Sequence, residues 1–289
     1  MSSRFEQNLQ LLEQYDQALA QRLRQFTPTQ PVEVFVTPAN VPSLRIQKGD
    51  RAHLIHSSRD PLREAERWAK GLTFENPFNL MVMGCGLMHH VYKMVGRYKG
   101  TLRNLVVVEA NPEVLYAAFQ NIDLSPFLRT QTTFFLMSPS TQEVRDFMNQ
   151  HLTPFSVDGL EIVDHPASTE LDAPFYENVK QVVHESLQSG EILLRTKIQI
   201  GGLIQENVIR NLPELLNNPT VSALQGLFHG IPAFIVGAGP SLDRNIDALQ
   251  QVGDQGVIIA VDTVFSLLLE KGIRPHIVVS TDPTQMNAR

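Results

Sequence analysis

Between residues 3 and 26 the apolar positions Phe5, Leu9, Leu12, Tyr15, Leu19 and Leu23 recur every three or four residues. That spacing predicts one amphipathic helix with a single core-facing stripe, started by a Ser3/Glu6 capping box and ended by Pro28 and Pro31. Three short strands are expected over 32–36, 43–46 and 52–55, between turns that contain Pro and Gly. A charged helix over 61–72 follows, with Asp60 as N-cap and Pro61 at the first helical position.

From Asn79 onward apolar strands alternate with helices. Strands are predicted over 80–83, 105–108 and 132–137, and helices over 88–98 and 112–121, which predicts a doubly wound α/β unit. The stretch 175–217 predicts long helices, and a second strand–helix series starts at Ile231. Some 90 residues of largely helical sequence separate the two series, too many for a crossover within one compact sheet. Two domains are therefore expected, 1–225 and 226–289, with their strands in separate sheets.

Composition narrows the function. A formal net charge of −6 argues against a nucleic-acid footprint, and a single cysteine, Cys85, excludes a disulfide framework or a cysteine zinc cluster. No run of about 18 apolar residues occurs, and the polar start Met1-Ser2-Ser3-Arg4 is unlike a secretion signal, so no membrane partner and a cytoplasmic location are expected. The sequence leaves the oligomeric state open.

Two glycine turns follow apolar strands. Gly84-Cys85-Gly86, with Glu109 closing the next strand, has the layout of a ribose-binding dinucleotide or S-adenosylmethionine site. A third glycine is replaced by the bulky Leu87-Met88-His89-His90, so a structural turn that binds no such cofactor is expected. His89 and His90 are adjacent on a helix and cannot jointly ligate a metal; both are expected at the surface or lining the turn, and no metal ligands are assigned.

The second turn, Gly237-Ala238-Gly239-Pro240-Ser241, lies between a strand over 233–236 and a helix from Asp243. Its glycines admit close approach of a ligand, and Ser241 adds a hydroxyl at the positive end of the helix dipole. Two further strands end in Asp262-Thr263 and Thr281-Asp282-Pro283. Parallel strands joined by helices bring their C-terminal tips to one rim, where ligands bind at a switch point. His276 begins the third strand, roughly 20 Å from Asp282 at about 3.3 Å per residue, and is excluded from that site.

These motifs carry a resemblance. Residues 236–242, 259–263, 272–275 and 280–283 together resemble the motility accessory factor (Maf) family of flagellin glycosyltransferases. The core is also similar to archaeal 6-hydroxymethylpterin diphosphokinases and, at the glycine turn, to bacterial CMP-sialic acid transferases. Residues 56–65 and 207–213 resemble the Maf N-terminal region. The resemblance implies a Rossmann-like N-terminal domain followed by the start of a second Rossmann-like, sialyltransferase-like domain. It also implies transfer of a nonulosonic acid of the pseudaminic or legionaminic type from a CMP donor to Ser/Thr of flagellin. Gly237, Ala238, Gly239, Pro240 and Ser241 would then hold the donor nucleotide, with Asp262, Thr263 and Asp282 at the nucleotide and sugar end and both aspartates in catalytic roles.

Because three strands leave a sheet open, the sequence is expected to be the front of a longer protein. The acceptor site and general base would then lie beyond residue 289, and this segment alone would be inactive. Two alternatives remain: a pterin diphosphokinase, with Asp262 and Asp282 holding Mg2+ against ATP phosphates, and a non-catalytic flagellin-binding module.

Overall fold

The computed structural model describes residues 3–281, so the expected site residue Asp282 lies outside the described residues. The chain divides into two compact units, Met1–Leu194 and Arg195–Arg289.

The N-terminal unit opens with α1 (Arg4–Leu12) and α2 (Gln17–Gln25) in place of the single expected helix. The break has a local cause: the Asp16 carboxylate accepts the Leu19 N–H and caps a new helix start. The apolar stripe survives the break, since Leu9, Leu12, Leu19 and Leu23 are all buried. Strands β1 (Val32–Val36), β2 (Pro42–Lys48) and β3 (Arg51–Leu54) form an antiparallel sheet in sequential order. Helix α3 (Pro61–Lys70) starts as expected, with Asp60 accepting the Arg63 N–H and Pro61 in the first turn.

The centre of this unit is a parallel sheet of β4 (Asn79–Met83), β5 (Asn104–Glu109), β6 (Thr133–Met137) and β7 (Glu161–Asp164), in the order β6-β5-β4-β7. Between these strands come α4 (His89–Tyr98), α5 (Pro112–Asn121), the short α6 (Ser125–Leu128), α7 (Thr141–Gln150) and α8 (Leu152–Asp158); the short α9 (Pro166–Thr169) follows β7. Leu80, Val82, Leu105 and Val107 pack into one core and Met81, Met83, Val106 and Val108 into another. Alternate residues of the same strands thus feed both faces, as a doubly wound sheet requires. The order reverses at β4, which pairs with β5 on one side and β7 on the other. That reversal places the sheet's switch point directly above Gly84-Cys85-Gly86.

Helix α10 runs as one element from Ala173 to Asn217, with Pro213 inside it, where several helices were expected. The C-terminal unit then holds β8 (Ala233–Val236), α11 (Leu242–Leu249), β9 (Val257–Val261), α12 (Asp262–Glu270) and β10 (Ile277–Val279). Its strands are parallel in the order β10-β9-β8, so β4 and β8 lie in different sheets. A small core of Val236, Leu242, Ile246, Ile258, Ala260, Val264 and Leu268 packs between strands and helices, while Ile235 is 81% exposed. The strand tips share one rim, but the described strands follow chain order, so no switch point lies among them.

Candidate functional site

The N-terminal glycine turn is filled by the protein itself. Every residue from Met81 to His90 is buried. Gly84 and Gly86 both have positive φ; a Cβ on Gly84 would run into the Ser168 side chain, and one on Gly86 into the His56 ring. Glycine here serves internal packing. Glu109, which stands where a ribose-binding acid would, faces inward. Its carboxylate accepts the Cys85 N–H at 2.7 Å, the Asn111 N–H at 3.0 Å and the Tyr176 hydroxyl at 3.2 Å. Burial raises its pKa above the usual carboxylate value, against those donors. Burial likewise pushes the Cys85 thiol well up, which disfavours its thiolate and makes it a poor nucleophile.

His89 and His90 are not surface side chains: they are 6% and 1% exposed. Each ring is held by a backbone carbonyl, His89 Nε2 to Pro42 O at 2.8 Å and His90 Nε2 to Gly84 O at 3.0 Å. The hydrophobic run that crowds the turn also draws the first turn of α4 into the core, and this overrides the polar character of the histidines. His90 packs with His56 and His165, and the three rings place one nitrogen each within 4.8 Å of one another. Burial holds all three pKa values down, that of His165 at about 4, with neighbouring histidines as the second cause. His90 Nδ1 is buried and has no hydrogen-bond partner among the described residues, an arrangement that costs about 1–3 kcal/mol. Sequence reasoning missed His56 and His165 as members of this cluster. His165 follows β7, a short strand of mixed polarity that the pattern did not reveal.

The C-terminal turn differs on each count. Gly237 and Ala238 are exposed and Gly239 half-buried. Neither glycine has positive φ, and among the described residues a Cβ on Gly237 would meet nothing within 4 Å; on Gly239 it would meet only Ser241 Oγ, at 3.8 Å. Gly239 N–H closes a tight turn on Gly237 O at 2.9 Å, and Leu242 N–H bonds Gly239 O at 2.9 Å. Ser241 stands at the N-cap of α11 with no side-chain bond into the helix, so its hydroxyl is not used for capping. An open groove of about 500 Å³ beside the turn is lined by Phe234, Val236, Gly237, Ser241, Leu242 and Asn245, among others.

Asp262 sits at the tip of β9 as the first residue of α12. One carboxylate oxygen accepts the Thr263 N–H at 2.7 Å and the other accepts the Ser280 hydroxyl at 2.6 Å, which ties two strand tips together. Thr263 is exposed on the same rim. His276 lies at the opposite end, where its N–H donates to Ile258 O and its Nδ1 accepts the Ile258 N–H. The structure thus places Gly237 to Ser241, Asp262 and Thr263 at the C-terminal ends of parallel strands.

Comparison with known proteins adds three findings. Residues 206–289 match the 6-hydroxymethylpterin diphosphokinase MptE-like family model. Over 76 residues the chain is 33% identical to 6-hydroxymethyl-7,8-dihydropterin pyrophosphokinase of Methanocaldococcus jannaschii, a match that covers 25% of this chain and 32% of that protein. Among solved structures, the Maf glycosyltransferase from Magnetospirillum magneticum aligns with a TM-score of 0.53 at 16% identity, covering 95% of this chain and 48% of that one. The chain therefore spans about half the length of that structure and a third of that enzyme is matched. It resembles a Maf glycosyltransferase in fold over nearly its whole length, and the MptE-like diphosphokinases in sequence from residue 206 onward.

Proposed function

We propose that this protein is a glycosyltransferase that moves a nonulosonic acid of the pseudaminic or legionaminic type from a CMP donor to Ser/Thr hydroxyls of flagellin, with the donor bound at the C-terminal rim. The observation that carries the reading is the glycine turn Gly237-Ala238-Gly239, whose surface is open where internal packing makes no demand for glycine. The N-terminus of α11 presents the positive end of its dipole beside that turn, a setting that favours the single phosphate of a CMP-sugar. In the transfer, the acceptor oxygen bonds to the anomeric carbon as the bond from that carbon to the phosphate oxygen breaks. CMP leaves with the bonding pair, and the hydroxyl proton passes to a general base. Helix-end N–H groups would stabilise the charge gathering on the departing phosphate. Asp262, Thr263 and Asp282 are assigned to the ribose and sugar hydroxyls.

A pterin diphosphokinase is the second reading, favoured by the match over residues 206–289. Two carboxylates facing a diphosphate need a cation between them, so that reading requires Mg2+ on Asp262 and Asp282. Calorimetry of the protein with CMP, a CMP-nonulosonic acid and ATP with Mg2+ separates the two. Binding of CMP and its sugar that persists in EDTA is expected; binding of ATP alone, abolished by EDTA, would replace the first reading with the second.

A further inference from the structure

We propose that His56, His90 and His165 form a binding site for one divalent late-transition cation of the zinc class, set into the switch-point crevice of the N-terminal sheet. The three residues come from separate segments: His56 just after β3, His90 in the first turn of α4 and His165 just past the tip of β7. Only the fold brings them together, and it does so at the place where an open α/β sheet ordinarily receives its ligand.

The geometry is close to a coordination sphere. A tetrahedral cation with nitrogen ligands at about 2.0–2.1 Å separates those nitrogens by about 3.4 Å, and here they already lie within 4.8 Å of one another. Hydrogen bonds already engage one nitrogen on each of two rings, as second partners do in a metal site. His90 Nε2 donates to Gly84 O at 3.0 Å, which fixes the tautomer and leaves the buried Nδ1 lone pair without a partner among the described residues. His165 Nδ1 bonds Ser168 Oγ at 2.9 Å, which leaves Nε2 as its ligand atom. Imidazoles without a carboxylate select zinc, cobalt, nickel or copper over Mg2+ or Ca2+.

Two contacts must change on loading. His56 Nε2 accepts the Leu87 N–H at 2.7 Å, so the cation must displace that donor or the ring must rotate to present its other nitrogen. The His90 and His165 rings are stacked with centroids 3.8 Å apart and planes within 9°, whereas two ligands of one cation direct their lone pairs to a common point, so the stack must open. Loading would therefore shift the glycine turn and clamp it to the β7 tip and to the segment after β3.

The chain's single tryptophan supplies a readout. Trp68 meets the His90 ring edge-on at 5.2 Å between centroids, close enough for a paramagnetic cation to quench it. Chelator-stripped protein would be titrated with Zn2+ by calorimetry, and with Co2+ and Cu2+ by absorbance and Trp68 fluorescence. One equivalent of Zn2+, visible bands of tetrahedral Co2+ and saturable Cu2+ quenching are expected. Zn2+ affinity should fall at least about 100-fold in His90→Gln and in His165→Gln and stay unchanged in the surface variant His184→Ala. If the His90 and His165 variants do not fold, wild-type protein alone decides the matter. Absence of stoichiometric Zn2+ binding and of the Co2+ bands overturns the site, as does one-equivalent binding that survives in folded His90→Gln.

Discussion

The molecule contains two strand–glycine–helix turns with nearly the same sequence logic and opposite environments. Gly84-Cys85-Gly86 is buried, its glycines have positive φ, and the space a ligand would enter is taken by Ser168, His56 and the Glu109 carboxylate. Gly237-Ala238-Gly239 is open, and neither positive φ nor a neighbouring side chain demands glycine there. The same residue type thus answers two questions: what the chain needs in order to fold, and what a ligand needs in order to approach. The test that separates them is what a Cβ would strike.

Acid should divide the two turns most strongly. The pKa values of His56, His90 and His165 are depressed in the fold by burial, so the unfolded chain takes up protons first as pH falls. Their contribution is complete above the unfolded value near 6.5 and is lost progressively as pH falls below it, for His165 down to its folded value of about 4. The slope reaches about 1.4 kcal/mol per pH unit for each histidine. In chelator, urea unfolding of the N-terminal unit, followed through Trp68, should show its midpoint fall steeply between pH 6.5 and 5. A flat profile would mean that the histidines are hydrated.

Substitution of the glycines comes next in size. Gly84→Val should cost about 2–5 kcal/mol, from overpacking against Ser168 together with strain at positive φ. Gly237→Ala should change stability by less than about 1 kcal/mol and yet weaken CMP binding about tenfold or more. Thermal melts paired with calorimetry test both halves, and equal stability losses at the two turns would erase the distinction drawn between them.

A third effect, read in function, is expected at the C-terminal rim. Asp262→Asn should weaken donor binding or turnover by about 1.5–3 kcal/mol through loss of a charged acceptor, and Asp282→Asn should do the same. Unchanged kinetics in both variants would remove the aspartates from the site.

Much of this contrast was legible in the chain. Leu80–Met83 and Leu105–Val108 read as buried strands because continuous apolar runs bounded by glycine and a helix start have few other folds. The bulky run 87–90 signalled that the first turn was closed. The sequence did not reveal what closed it. His165 sits after a four-residue strand, Glu161–Asp164, whose burial falls mainly on Val163, and the pairing of that strand with β4 is a tertiary choice without local signature. The break at Glu13–Asp16 was hidden for the opposite reason: the apolar period carries on through it, and only the Asp16 cap records the interruption.

Helix α10 carries one more consequence. Its last buried residue is Gly190, where any Cβ would strike Ser156 and Leu152; from Glu191 to Asn217 none of its residues is buried. That second half also holds adjacent glycines at 201 and 202 and the helix-interior Pro213, each unfavourable to a helix that packing does not support. Backbone amides there should exchange with deuterium far sooner than those of Tyr176 to Ser186. Trypsin should cut first at Arg195 or Lys197 and release the N-terminal unit as a stable product.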